Sequence, residues 1–119
     1  MRKILIVEDD LNIRETLIEI LELSGFKVYS AKNGGEGYEQ LVLHQPDLVL
    51  CDINMPVLNG YELLTKINQD IERKPIFIYL TAKVEEKDIN IGLNLGASEF
   101  LIKPFDYLHV IDRINFYLN

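Results

Sequence analysis

The sequence predicts an α/β architecture: a (βα)5 unit with a doubly wound parallel sheet in the strand order 2-1-3-4-5. Three observations carry this. Short apolar runs alternate with longer amphipathic stretches along the whole chain. Each connection is long enough to hold a helix, as parallel neighbours require. At 119 residues the chain is too short for a (βα)8 barrel, which needs about 250.

The elements follow in order. Ile4-Leu5-Ile6-Val7 reads as a buried strand: it is short, apolar on both faces and β-branched. Asp9 or Asp10 can cap a helix over about 11–24, with Ile13, Leu17, Ile20 and Leu21 on one face and Gly25 as its stop. Val28-Tyr29-Ser30-Ala31 is a weaker strand. A second helix spans about 35–44 and stops before Pro46, because the residue before a proline avoids the helical region. Leu48-Val49-Leu50-Cys51 is the third strand. The third helix, about 60–69, starts after Asn59-Gly60. Ile76-Phe77-Ile78-Tyr79-Leu80 is the fourth strand, followed by a helix over about 85–95 that ends at Gly96. Phe100-Leu101-Ile102 is a very short fifth strand. The last helix, about 106–118, opens at Asp106 and carries Val110, Ile111, Ile114 and Leu118 as its stripe.

Edge strands tolerate polar residues, so the second strand (Lys27, Ser30) and the short fifth belong at the edges. The first, third and fourth are apolar throughout and belong at the centre. With right-handed crossovers, this gives 2-1-3-4-5. No linker, repeat or low-complexity run interrupts the chain, which reads as one domain over 1–119.

Composition sets the class. The chain is 48% hydrophobic and 26% charged, which argues against disorder. Twelve basic against 19 acidic residues give a formal net charge of -7, with no basic run, so direct grip on nucleic acid is not expected. One cysteine excludes an intrachain disulfide framework and a Cys-rich zinc site. No apolar stretch approaches the length of about 18 residues that suggests a membrane span, and no leader-like segment opens the chain. A cytoplasmic setting is therefore expected.

Open α/β sheets bind ligands outside the carboxyl ends of their strands, where the winding reverses. Here that point lies between strands one and three. Glu8-Asp9-Asp10 follows strand one, Asp52 strand three, Thr81 strand four and Lys103-Pro104 strand five. Glu8, Asp9 and Asp52 would thus converge on one crevice. Like charges so placed need compensation, from a hard divalent cation, from Lys103, or from both. An all-oxygen site suits Mg²⁺, with Mn²⁺ as an alternative, and disfavours Zn²⁺. Carboxylates, a cation, a lysine and the Thr81 hydroxyl are what a transferring phosphoryl group requires. Asp52 is the best nucleophile, because it stands alone at a central strand end while Glu8 and Asp9 pair to hold metal.

These residues resemble the receiver domain of bacterial two-component response regulators over the entire chain. The carriers are Ile4-Leu5-Ile6-Val7-Glu8-Asp9-Asp10, Asp52-Ile53-Asn54-Met55-Pro56 with Asn59-Gly60, Leu80-Thr81-Ala82, Gly96-Ala97 and Lys103-Pro104-Phe105. The resemblance implies a flavodoxin-like fold and a phosphoryl switch. Asp52 would accept the phosphoryl group from a phosphohistidine on a sensor histidine kinase or histidine phosphotransfer domain. Asp9, Asp52 and the backbone carbonyl of Asn54 would ligate Mg²⁺, with Glu8 acting through water. Lys103 would pair with the phosphorylated carboxylate. Thr81 would swing to a phosphate oxygen and Phe100 would rotate inward, restyling the face of helix four, strand five and helix five for an output domain or partner. Asn54 and Lys83 would tune dephosphorylation. The Lys103-Pro104 bond would be cis. The domain would catalyse its own phosphotransfer and dephosphorylation without turning over an external substrate. Homodimerisation through the helix-four to helix-five face is compatible with the resemblance, though composition does not demand it.

Plainer readings stand beside these. Glu8 and Asp10 suit a helix N-terminus as solvated acids. Thr81 suits a strand end that bonds backbone. Phe100 suits simple packing, Cys51 a small buried hydrophobe, and His44 and His109 surface or packing positions. Ile13, Arg14 and Ile18 flank the crevice and form a candidate docking surface for the phosphodonor, against a plain reading of core stripe and stray surface apolar.

Rival functions are weaker. A haloacid-dehalogenase-type phosphohydrolase needs an acid two residues after its nucleophile, where this chain has Asn54. A flavin-binding relative of the same topology needs a Ser/Thr/Gly-rich phosphate loop, where this chain has Glu8-Asp9-Asp10. The alternative that keeps the fold is an unphosphorylated pseudo-receiver acting as a protein-interaction module. The remaining acids, including Glu15, Glu19, Glu22, Glu36, Glu39, Glu85 and Glu86, would coat the helices.

Overall fold

A computed structural model describes residues 1–82 and 85–119. Five strands alternate with five helices: β1 (Lys3–Val7), α1 (Leu11–Leu23), β2 (Lys27–Ala31), α2 (Gly34–His44), β3 (Leu48–Asp52), α3 (Gly60–Asp70), β4 (Ile76–Thr81), α4 (Glu86–Asn94), β5 (Glu99–Ile102) and α5 (Tyr107–Leu118). All pairings are parallel, and the strand order is β2-β1-β3-β4-β5, as the polarity of the edges predicts. β3 is buried at every position, whereas β2 and β5 each expose residues.

Alternation along the strands sends side chains to two faces. Ile4, Ile6, Leu48, Leu50, Ile78 and Leu80 pack with Leu17 and Leu21 of α1 and Val110, Ile114 and Leu118 of α5. Leu5, Val7, Val49, Cys51, Phe77 and Tyr79 face Leu41 of α2 and Leu63, Leu64 and Ile67 of α3. Both faces of the sheet are thus covered, which is why its central strands carry no polar alternation.

Side-chain caps set where the helices begin. Of the two candidate acids, Asp10 caps α1, accepting from the Ile13 N–H at 3.0 Å. Asn33 caps α2 by accepting from the Glu36 N–H, and Asp106 caps α5 by accepting from the Leu108 N–H. Asn59 and Glu62 form a reciprocal capping box at α3. α1 stops at Gly25, whose φ of +94° is left-handed and costs a glycine little.

Two strands run one residue further than their apolar runs. Asp52 pairs with Leu80, and Thr81 with Ile102. Both site residues are therefore held by the sheet itself, because the ladder continues past the last apolar side chain. The Lys103–Pro104 bond is cis, and the Lys103 N–H donates to the Thr81 carbonyl at 2.7 Å.

The turn after β3 is held just as firmly. The Gly60 N–H donates to the Ile53 carbonyl at 2.8 Å. A Cβ at position 60 would lie 2.6 Å from the Asp52 carbonyl oxygen and 2.9 Å from both Ile53 Cα and the Tyr79 ring. Two of these neighbours are backbone and cannot swing aside. Gly60→Ala is therefore expected to destabilise the fold by about 1–3 kcal/mol through overpacking. Urea unfolding measures this, and a midpoint unchanged from wild type would contradict the tight turn.

Candidate functional site

Glu8, Asp9, Asp52, Thr81 and Lys103 meet at the carboxyl end of the sheet. β1 delivers Glu8 and Asp9, β3 Asp52, β4 Thr81, and the residue after β5 is Lys103. Glu8 is 0% exposed, Asp52 7% and Thr81 1%, while Asp9 is open to solvent. One oxygen from each of Glu8, Asp9 and Asp52 lies within 4.8 Å of the others.

Lys103 is the cation among them. Its Nζ is 2.6 Å from Glu8 Oε1 and 3.4 Å from Asp52 Oδ2. The Glu8 contact is an ion pair by distance, without the angles of a good hydrogen bond, and among the described residues Oε1 has no other hydrogen-bond partner. The other Glu8 oxygen, Oε2, accepts from the Asp10 N–H at 3.1 Å. Asp52 Oδ1 accepts from the Ile53 N–H at 2.8 Å, which turns Oδ2 toward the lysine. Arg14 is half-buried beside this group: its Nη1 donates to the Glu8 carbonyl at 2.8 Å.

Charge is incompletely balanced. Burial pushes the Glu8 carboxyl from 4.5 up to about 7, with Asp52 adding to the rise and Lys103 and the Asp10 N–H opposing it. Burial also raises Asp52; Lys103 opposes that rise and Asp9 adds to it. Burial alone would lower the Lys103 ammonium, but Glu8 and Asp52 overcome it and leave it raised. Among Glu8, Asp9, Asp52 and Lys103, three carboxylates against one ammonium leave an excess of negative charge when all are ionised. An all-oxygen group of this kind is the donor chemistry that a hard cation such as Mg²⁺ takes.

The raised Glu8 has a pH consequence. A carboxyl that binds its proton more tightly when folded stabilises the fold fully below its unfolded value of 4.5, and that contribution is lost as pH rises through about 7. Measured without divalent cations, wild type is expected to lose about 3 kcal/mol relative to Glu8→Gln across that window. Urea unfolding of both proteins at several pH values checks this, and parallel curves would contradict it.

The other residues named from sequence fall at different distances from this centre. Asn54 is exposed in the turn after β3. Lys83 lies outside the described residues. Phe100 is half-buried, its ring 5.2 Å from Tyr79 and lying against Gly92 of α4. Ile13 and Ile18 are half-buried and pack on the cluster between the sheet, α1 and α5. Cys51 is wholly buried, and its thiol donates to the Asp52 carbonyl at 3.0 Å. His44 stacks on Tyr29 at 3.7 Å, and His109 is exposed. The sequence marks Gly60 as a helix start and Tyr79 as a strand residue, but not that together they brace the Asp52 turn. A tyrosine in an otherwise apolar strand was the available signal, since a buried phenol needs a hydrogen-bond partner.

Comparison with known proteins agrees with this arrangement. The model of the response regulator receiver domain matches residues 4–115. The transcriptional regulatory protein CrdR of Helicobacter pylori is 36% identical over 118 residues, covering 99% of this chain and 55% of its own. The CpxR homolog of Haemophilus influenzae is 43% identical over 114 residues, covering 96% of this chain and 49% of its own. This chain thus spans about half the length of these relatives. A CheY-like receiver domain structure from Methanospirillum hungatei superposes with a TM-score of 0.93 at 30% identity, covering 99% of this chain and 94% of that one. No helix among the described residues is long and apolar enough to cross a membrane. From the family match, the shared fold and the acidic crevice at the sheet's carboxyl edge, the chain belongs to the response regulator receiver domains of two-component systems.

Proposed function

We propose that Asp52 is the phosphoacceptor of this receiver domain, and that its donor is a phosphohistidine on a sensor histidine kinase or histidine phosphotransfer domain. The observation that carries this reading is the crevice itself: Asp52 stands nearly buried at a strand end, with one oxygen held by the Ile53 N–H and the other turned toward Lys103. A nucleophile needs that orientation before a phosphorus atom arrives. An Asp52 oxygen attacks phosphorus and an acyl phosphate O–P bond forms. The donor's P–N bond breaks, and its electron pair stays on the imidazole. Lys103 sits on the attacking side and offsets the charge left on the acyl phosphate.

Asp9, Asp52 and the Asn54 carbonyl are the proposed Mg²⁺ ligands, with Glu8 acting through water and Mn²⁺ able to substitute. When bound, the cation supplies charge neutralisation for the phosphoryl oxygens. Thr81 then donates its hydroxyl to a phosphoryl oxygen and Phe100 turns inward, which alters the α4–β5–α5 face read by an output domain or partner protein. Asn54 and Lys83 set the lifetime of the phosphate, and Ile13, Arg14 and Ile18 contribute to docking of the donor. Residues 1–119 act as one such unit in the cytoplasm. The relatives named as transcriptional regulatory proteins point to control of transcription, delivered by a separate output domain or partner.

Acetyl phosphate tests the central claim without a kinase. Incubation with Mg²⁺ is expected to add about 80 Da to the folded protein, one phosphoryl group. Chelation of the cation should prevent the gain. A folded wild-type protein that gains nothing would overturn the reading and favour an unphosphorylated interaction module.

A further inference from the structure

We propose that Tyr79 is a positioning residue that couples the Asp52 turn to α4. The proposal rests on the phosphoacceptor reading and adds a part to it.

Tyr79 lies in β4, wholly buried, between Cys51 of β3 and Phe100 of β5. Its hydroxyl donates to the Gly60 carbonyl at 2.9 Å. A carbonyl has two lone pairs, so this bond can coexist with a helical bond in the first turn of α3. The two edges of the ring meet two glycines. Cε1 is 2.9 Å from where a Cβ of Gly60 would stand, and Cε2 is 3.1 Å from where a Cβ of Gly92 would stand. The phenol ring therefore fills the gap between Gly60 at the start of α3 and Gly92 near the end of α4, with the Tyr61 ring of α3 packed edge-on against it.

Each end of this wedge is tied to something functional. Gly60 bonds the Ile53 carbonyl and leaves no room for a methyl group against the Asp52 carbonyl. A shift of the Asp52 turn must therefore move Gly60. At the other end, the Phe100 ring lies against Gly92 and is 5.2 Å from the Tyr79 ring, tilted by 35°. A rigid aromatic ring bonded at one side and packed at the other transmits displacement, where a flexible aliphatic chain in the same space would dissipate it. The hydroxyl is what distinguishes this role from filling space. Phenylalanine would fill the gap equally well, but would remove the direct polar tie from Tyr79 of β4 to the start of α3.

Amide NMR of the intact 119-residue chain, titrated with beryllofluoride and Mg²⁺ as the phosphoryl mimic, tests this. Wild type is expected to shift both near Asp52 (Ile53, Asn54) and at α4 and β5 (Gly92, Phe100). Tyr79→Phe keeps the ring and loses the tie. It should retain the shifts near Asp52, with those at Gly92 and Phe100 reduced at least about twofold, the order of one neutral hydrogen bond's share of a coupling. Tyr61→Phe is the control. Its hydroxyl ties α3 to the Asp88 carbonyl of α4 at 3.3 Å and takes no part in the Tyr79–Gly60 bond, so its loss should leave both sets of shifts as in wild type. Full response at both places in Tyr79→Phe overturns the coupling. Equal loss at both places with a lower melting temperature also overturns it, because that is the mark of a merely structural tyrosine. An equal loss at α4 in Tyr61→Phe overturns it too. A wild type that responds nowhere overturns the phosphoacceptor reading itself, which separates that failure from failure of the coupling.

Discussion

Asp52→Asn is expected to abolish the phosphoryl gain of about 80 Da that acetyl phosphate and Mg²⁺ give the wild type. The substitution is close to isosteric. The amide oxygen can still accept from the Ile53 N–H, which Asp52 Oδ1 holds at 2.8 Å, so the turn should keep its shape. What disappears is the anionic oxygen facing Lys103, and with it the nucleophile. Loss of one negative charge also removes part of what raises Glu8, so the variant should be no less stable than wild type within about 1 kcal/mol. Intact-mass spectrometry reads the first effect and urea unfolding the second. A variant that still gains the phosphoryl group would move the acceptor to another side chain, and peptide mapping would locate it.

Lys103→Ala is expected to produce the largest loss of stability. Glu8 is 0% exposed and stands 2.6 Å from the ammonium. Removing one partner of a buried pair leaves an uncompensated charge, at a cost of about 3–5 kcal/mol. The size should depend on pH. Glu8 already titrates near 7 with the lysine present, so below that value it is largely neutral and the loss should shrink toward about 1–2 kcal/mol. Adding Glu8→Gln should recover much of the loss at alkaline pH, and divalent cation should recover it in the single variant, because the crevice then carries three uncompensated carboxylates. Urea unfolding at acid and alkaline pH, with and without Mg²⁺, measures all four conditions. A cost independent of pH and of cation would show that the lysine stem, rather than its charge, holds the site together.

Different kinds of information made different parts of this molecule legible. The short β-branched runs, a cap at Asp9 or Asp10, the Asn59-Gly60 start and the Asp106 cap are local patterns, and local patterns specify elements. The polarity of Lys27 and Ser30 marked β2 as an edge, which, with handed crossovers, was enough to order the sheet. Once the sheet was ordered, the residue after each strand had to fall on one rim, so Glu8, Asp9, Asp52, Thr81 and Lys103 could be named together. Strand ends were less legible. Asp52 and Thr81 belong to their strands because a neighbouring strand pairs with them, and no property of an aspartate or threonine announces that.

The (βα)5 order, the rim on which the chemistry gathers and the family resemblance are all legible in the chain before it folds. These depend on periodicity and chain order, which act over a few residues at a time. Packing, by contrast, buries Glu8 while leaving Asp9 open, sets Lys103 nearer Glu8 than Asp52, and ties Tyr79 of β4 to Gly60. Those features arise where strands and helices far apart in the chain are packed to within a few ångströms. Desolvation and charge depend on everything that surrounds a group, and its sequence neighbours are only a small part of that surrounding.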